Sequence, residues 1–559
     1  MTRNTFNFND NPISLDISRS RFNRDSSVKM SFNVGELIPF YVDEVLPGDT
    51  MEVSTSKVVR MQTLLTPVMD NMYLDTYYFF VPNRLVWEHW KEFQGENTES
   101  AWIPQTQYTV PQITAPKGGW SVGTIADYMG IPTGVENLSV NALPFRAYAL
   151  ICDYWFRSQN LQDPFVIPKN ESTVVGSNGN DYKSDVAKGG KPWIARRYND
   201  YFSQALPAPQ KGPSVQLPGF AGGTYPVVGD GTTMNFTDGT GRFGTWYRAN
   251  IVEHGITLHS TAADHNIGEP FTGTIMSGNF PTNGAYLGLA TENSGLVAQI
   301  SGASAVTINE LRTAFQLQKY YEQLARSGSR YSEILRSQFG VTSPDSRLQN
   351  PEYLGGTHIP ITVNQVVQNS GTGTGSNTPQ GTTVAYSLTA DNHFDFSKSF
   401  VEHGFVIGVC VARYDHTYQQ GIERFWSRKK VTDYYIPVFA NLGEQGILNK
   451  EIYAQGTDTD NEIFGYVPRW NEYRYKPSRV CGEMRSSFAQ SLDCWHLADD
   501  YEALPSLSGS WLMEDKTNVD RVLAVTSQVS NQLFGDFYIQ NVSTRAMPLH
   551  SIPGFIDHH

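Results

Sequence analysis

The run GFVIGVCVARY, residues 404–414, carries one charge in eleven residues, at Arg413. A strand with one wet face alternates apolar and polar side chains. This run does not, so it reads as a strand buried on both faces. Other strand candidates lie on either side of it. MEVST, residues 51–55, puts Met51, Val53 and Thr55 on one face. YLDTYYFFVP, residues 73–82, is rich in aromatics and is stopped by Pro82. DYYIPVFA (433–440) and GDFYIQNVS (535–543) are shorter candidates. Strand signals begin near Leu37 and recur close to the end of the chain. That placement favours a sheet whose first and last strands are neighbours, as in a jelly roll or sandwich.

Composition supports a folded, turn-rich β protein. Of 559 residues, 40% are hydrophobic, 13% aromatic and 17% charged, with 48 glycines and 30 prolines. Such a chain buries a sizeable core without staples. Its net charge of −13 argues against phosphate binding over the whole surface and confines any such contact to local basic patches. Cys152, Cys410, Cys481 and Cys494 are widely spaced with no CxxC, so neither a disulfide framework nor a zinc site is expected. The polar N-terminus has no apolar core of a signal peptide, and no apolar run is long enough to span a bilayer. A soluble protein made in a reducing cytoplasm is expected.

Four regions follow along the chain. Residues 1–33 read as an extended basic-aromatic arm with few core-forming residues, and 34–211 as the first part of the β domain. Between 212 and 303 the texture shifts to Gly, Thr, Ser and Asn, and lysine is absent from Lys211 to Lys319. Its scattered aromatics, Phe236, Trp246, Tyr247 and Tyr286, favour a small folded insertion. Residues 304–559 hold a helical connection and the remaining strands. In the connection, Thr307 and Glu310 form a capping box, Leu311, Phe315 and Leu324 share a helical face, and Gly328 suits the stop. A second helix runs through Tyr331 and Leu335 to Gly340. This pair reads as a helical connection packed on the β domain rather than as a DNA-reading helix pair. SGTGTGSNTPQG, residues 370–381, lacks any apolar anchor and reads as a mobile loop.

No phosphate loop, HExxH, GxSxG or kinase signature is present. No catalytic residue, metal ligand or cofactor is assigned. The tetrapeptide VEHG at 252–255 and 401–404 reads as a chance match, and His558 and His559 as a solvated tail. Three basic-aromatic clusters remain. The first surrounds Phe22 with Arg19, Arg21, Arg24 and Lys29. The second, RFWSRKK, contains Arg428, Lys429 and Lys430. The third, GYVPRWNEYRYKPSRVCGEMR (465–485), contains Arg474 and Lys476. Cations neutralise phosphates and aromatic faces stack on unpaired bases, a mixture that suits single-stranded nucleic acid. The alternative is that each cluster packs over its own core or pairs with carboxylates.

IPFYVDEVLPGDT (38–50), TLLTPVMDNMYLDTYYFFVP (63–82), LPAPQKGP (206–213), FGVTSPDSRLQNPEYLGG (339–356) and MPLHSIPGFIDHH (547–559) resemble the microvirus major capsid proteins, most closely the gokushovirus branch. The resemblance covers nearly the whole chain outside 212–303. It implies an eight-stranded antiparallel jelly roll of viral capsid type, with very long loops, a few short helices and one large surface insertion. It further implies about sixty copies in a closed icosahedral shell around circular single-stranded DNA. Expected partners are other copies of the chain, the packaged DNA, a host receptor, and minor virion proteins such as a DNA pilot and an internal scaffolding or DNA-binding protein. Enzymatic activity is not expected. The competing function is a β-rich carbohydrate-active enzyme or glycan-binding protein, whose paired carboxylates would sit in an aromatic cleft.

Overall fold

The computed structural model describes residues 18–97, 107–215, 307–370 and 380–550, with the backbone of six short strands between 227 and 298. The chain divides into two compact units, Met1–Lys211 with Glu322–His559, and Gly212–Tyr321.

The larger unit is built on two antiparallel sheets. In the first, β1 (Ser20–Asn23) and β2 (Ser26–Phe32) both pair with β11 (Leu533–Arg545). β11 pairs with β4 (Thr50–Met61), and β4 with β7 (Thr389–Ser399). The second sheet runs in the order β6 (Glu352–Pro360), β5 (Met72–Pro82), β8 (Gly404–Tyr414), β3 (Ile38–Val45). The first and last strands of the chain are therefore neighbours, as the sequence pattern predicts. The architecture is mainly β, as expected of a capsid jelly roll.

Strand β8 explains its own sequence. All eleven of its residues are buried. Val406, Cys410, Ala412 and Tyr414 join the core between the two sheets, with Val53, Phe537 and Ile539 of the facing sheet. Phe405, Ile407, Val409 and Val411 point the other way, into a second core. There they meet Trp87, Trp120, Trp193 and helix α1 (Leu143–Ile151). Both faces are dry, so alternation has no polar half to reveal. At Gly408 a Cβ would lie 2.8 Å from the Tyr78 ring, so the missing side chain lets two aromatic strands close up.

Between the sheets sits an unusual polar layer. β4 buries Met51, Val53, Thr55, Lys57, Val59 and Met61 in strict alternation. Thr55 donates to Asp395 at 2.5 Å, and Lys57 donates to Thr357 at 2.6 Å. Asp395 reaches inward because a bulge between Phe394 and Phe396 leaves it unpaired with β4 and turns it to the same side as Phe396.

Three local expectations are revised. Within the stretch read as an arm, Ser20–Asn23 and Ser26–Phe32 are strands, and Met30 and Phe32 are buried in the core. Alternation over only seven residues, with serines between, hides this strand in sequence. DYYIPVFA is not a strand but a pair of 3₁₀ turns, Val431–Asp433 and Pro437–Phe439, because Pro437 removes a ladder donor. Helix α2 (Ile308–Arg326) has the expected capping box, with Glu310 N–H donating to Thr307 Oγ1 at 3.2 Å and Thr307 N–H donating to Glu310 Oε2 at 2.9 Å. It buries Ala314 and Ala325, however, and leaves Leu311 and Phe315 exposed. Helix α3 (Tyr331–Phe339) stops at Gly340 with φ +69°.

The four cysteines are free thiols, two of them buried. Among the described residues, no helix is long and apolar enough to cross a membrane, and no group of three or more His, Cys, Asp or Glu could hold a metal ion. The smaller unit contains the strand pairs Phe243–Val252 with Gly255–Ser260 and Leu296–Ala298 with Val227–Gly229. Of the first VEHG, Glu253 and His254 lie outside the described residues. So do most of the 370–381 loop and the terminal histidines.

Candidate nucleic-acid interface

A third core supports the site. Tyr201, Phe202, Tyr418, Ile452, Phe464 and Val467 cluster around the hairpin of β9 (Gln445–Leu448) and β10 (Ile463–Val467). From β10 the chain enters the basic-aromatic segment. Trp470 anchors it: the indole is buried, donates to the Phe439 carbonyl at 2.9 Å, and holds its backbone at φ +66°. A left-handed tryptophan costs about 1–3 kcal/mol, so surrounding packing fixes this turn. Tyr475 then stacks on Tyr201 at 5.1 Å and 7°.

The turn returns the segment to RFWSRKK. Together they line a groove of about 760 Å³, with Phe425, Trp426 and Tyr473 among its aromatics. Six basic side chains line it, Arg424, Arg428, Arg474, Lys476, Arg479 and Arg485, against the acidic Glu423, Glu451 and Glu472. The second and third sequence clusters are thus one site. The first cluster is not part of it.

The cations divide by partner. Arg424 spans Glu451 at 2.9 Å and Glu472 at 4.0 Å. Arg428 lies 3.5 Å from Glu472 and 4.4 Å over the Tyr473 ring. Lys476 pairs with Glu423 at 2.5 Å and lies 5.6 Å from the Phe425 ring. By contrast, Lys429, Lys430, Arg474 and Arg479 are exposed and meet no carboxylate among the described residues. The backbone N–H groups of Lys429 and Lys430 donate to Asp433, which holds its carboxyl below the usual range, and the Lys430 charge adds to this.

The arm residues differ again. Arg24 grips Asp43 with two bonds, at 2.5 and 2.6 Å, beside Tyr41 and Asn541. Arg21 lies 3.6 Å from Glu52 and Lys29 lies 3.5 Å from Asp536, both pairs exposed. Arg19 is exposed beside the Gly48 turn. Residues that sequence reasoning missed are Tyr201, Phe202 and Tyr418, which form the groove floor from distant segments. No local pattern marks them.

The chemistry available is electrostatic and stacking. Burial pushes the Glu451 carboxyl up while Arg424 pulls it down, and the group accepts from Tyr201 at 3.0 Å and from Leu448 N–H at 2.9 Å. Glu472 accepts from Gln445 at 2.5 Å and is shared by two arginines. Glu423, Glu451 and Glu472 are thus each paired with a cation of the groove.

Comparison with known proteins identifies the family of the chain. The family described as "Capsid protein (F protein)" matches residues 13–555. The chain is 43% identical over 550 residues to Capsid protein VP1 of Bdellovibrio phage phiMH2K, covering 97% of this chain and 96% of that protein. It is 42% identical over 543 residues to Capsid protein VP1 of Spiroplasma virus 4, covering 96% and 95%. It is 40% identical over 584 residues to Capsid protein VP1 of Chlamydia phage 1, covering 96% of each.

Proposed function

This chain belongs to the capsid protein (F protein) family, and on that footing we propose how it builds and fills a phage shell. It is a structural major capsid protein and not an enzyme. The observation that carries this is the near-complete, two-sided coverage of capsid relatives at 40–43% identity.

The finer reading is as follows. Strands β2, β3, β4, β5, β6, β7, β8 and β11 form an eight-stranded jelly roll, supported by the sheet orders β2–β11–β4–β7 and β3–β8–β5–β6. Copies of the subunit close an icosahedral shell of about sixty around circular single-stranded DNA. The genome lies against the groove, where Arg474 and Arg479, together with the adjoining Lys429 and Lys430, neutralise phosphates and Trp426 and Tyr473 offer stacking faces. Arg428 and Lys476 hold the groove wall. Arg19, Arg21 and Lys29 add a second, weaker patch, and Arg24 positions the strand that carries it. Residues 212–303 project and face the host receptor, supported by their shift to Gly, Thr, Ser and Asn. A DNA pilot and an internal scaffolding or DNA-binding protein complete the virion.

Electron microscopy of particles containing the chain tests this. A closed icosahedral shell is expected. A stable monomer that cleaves a glycan would overturn it.

A further inference from the structure

We propose that Val431–Leu442 is a contact between neighbouring copies of this chain, an inference that rests on the shell reading above. None of its twelve side chains is buried. Val431 and Val438 are 74% and 86% exposed, and Tyr434, Tyr435 and Leu442 are about half exposed. Exposed apolar residues scattered singly are ordinary, but a run of them on one short segment marks a binding surface.

The segment is nevertheless tied down by hydrogen bonds. Two 3₁₀ turns shape it, Tyr435 N–H donates to Tyr473 Oη at 3.2 Å, and Trp470 donates to the Phe439 carbonyl. Ordering a chain costs conformational entropy, which burial of its own side chains normally offsets. Here only Ile436 and Phe439 among the apolar side chains are partly buried, and none is fully so. The fixed backbone presents its apolar tips outward, preorganised for a partner.

Composition identifies that partner. From Val431 to Leu442 the one charged residue is Asp433, and its carboxylate is taken by the Lys429 and Lys430 backbone. A nucleic acid rewards cations, which this stretch lacks. The centre of a protein interface is instead depleted in charge and rich in Tyr and Phe. A shell subunit meets copies of itself, and in a closed ring or shell such contacts join one patch to a different patch on the next copy. The segment therefore seats on a second copy of this chain. Tyr435, edge-on to Trp470 and near Tyr473, joins the contact to the wall of the groove.

The test uses the full chain, produced with the other virion proteins. Val438→Asp and Val431→Asp replace exposed side chains, so the unassembled subunit should melt as wild type does. Assembled particles, measured by sedimentation, should fall about tenfold or more, because the charge is stranded in an apolar contact. Val438→Leu should assemble normally. A photo-crosslinking phenylalanine analogue at 438 should join two chains. Normal assembly of both aspartate variants, or crosslinks confined to one chain, overturns the inference. A wild-type chain that stays monomeric at every concentration overturns the shell reading and this inference with it.

Discussion

Lys57 Nζ stands 2.9 Å from Asp391 Oδ2 between the two sheets, its side chain 1% exposed and that of the aspartate 25%. Inward positions of a sandwich strand normally carry apolar side chains. This one carries an ammonium with two partners, Asp391 and Thr357. Removing one partner of a buried pair leaves an uncompensated charge. Asp391→Ala should therefore cost about 2–4 kcal/mol, discounted because the carboxylate is partly wet. Adding Lys57→Met should recover most of it. Denaturant unfolding of the subunit measures both, and an unchanged midpoint in Asp391→Ala would show that the pair contributes nothing.

His416 predicts a pH dependence. It is sandwiched between Asp499 at 3.0 Å and Glu514 at 2.7 Å. Burial lowers its pKa, but Asp499 and Glu514 outweigh burial and raise it from 6.5 to about 9. Asp499 is opposed by burial, yet His416 and Arg197 hold it well below its ordinary 3.8. The histidine's contribution is complete below its unfolded value and is lost as pH rises through about 9. The aspartate's is complete above its unfolded value and is lost in stronger acid. Thermal unfolding should show stability falling between pH 6.5 and 9, and His416→Gln should flatten that slope. Equal slopes in both proteins would remove His416 as the cause.

Salt dependence separates the cations. Replacing Arg474, Arg479, Lys429 or Lys430 by Ala should lower the slope of log K against log salt for single-stranded DNA by about 0.7 each, with the subunit's stability unchanged. Arg24→Ala should instead destabilise the subunit, because Asp43 loses its partner beside buried Tyr41 and Asn541. A full slope with all four cations removed would place the genome elsewhere.

Gly408→Ala should cost about 1–3 kcal/mol, since its methyl would meet the Tyr78 ring and β8 is clamped on both faces. Pairing it with Tyr78→Leu should relieve part of the loss. Wild-type stability in Gly408→Ala would mean that the sheets separate more freely than their packing indicates.

Replacing residues 220–300 by a short Gly/Ser linker should leave the larger unit folded, because closure entropy grows slowly with loop length. Host attachment should be lost. Folding, assembly and attachment are assayed separately, and loss of the subunit fold would make this segment part of the core.

Much of the fold was legible because burial leaves a pattern. β8 reads as doubly covered, and MEVST puts Met51, Val53 and Thr55 on one face; the structure buries all of these residues. Lys57 was not legible, because its partners Thr357 and Asp391 sit on strands 300 or more residues away. Composition marked RFWSRKK and the 465–485 segment, but nothing local shows that the left-handed turn at Trp470 folds one onto the other. Which cations are already paired depends on Glu423, Glu451 and Glu472, whose positions only the folded chain reveals.

Strand β11 lies inside its sheet, between β2 and β4, yet among the described strands it is the last to be translated. Until residue 545 clears the ribosome, both neighbours keep an unfilled edge, and Phe537 and Ile539 are missing from the core. The sheet cannot close during synthesis, and pairings this distant in sequence form slowly. A chain cut short by a premature stop lacks the centre of the sheet rather than its margin. Such a fragment never presents a finished surface to its neighbours and goes to proteolysis or aggregation. Completion of synthesis thereby becomes the checkpoint for entry into the particle.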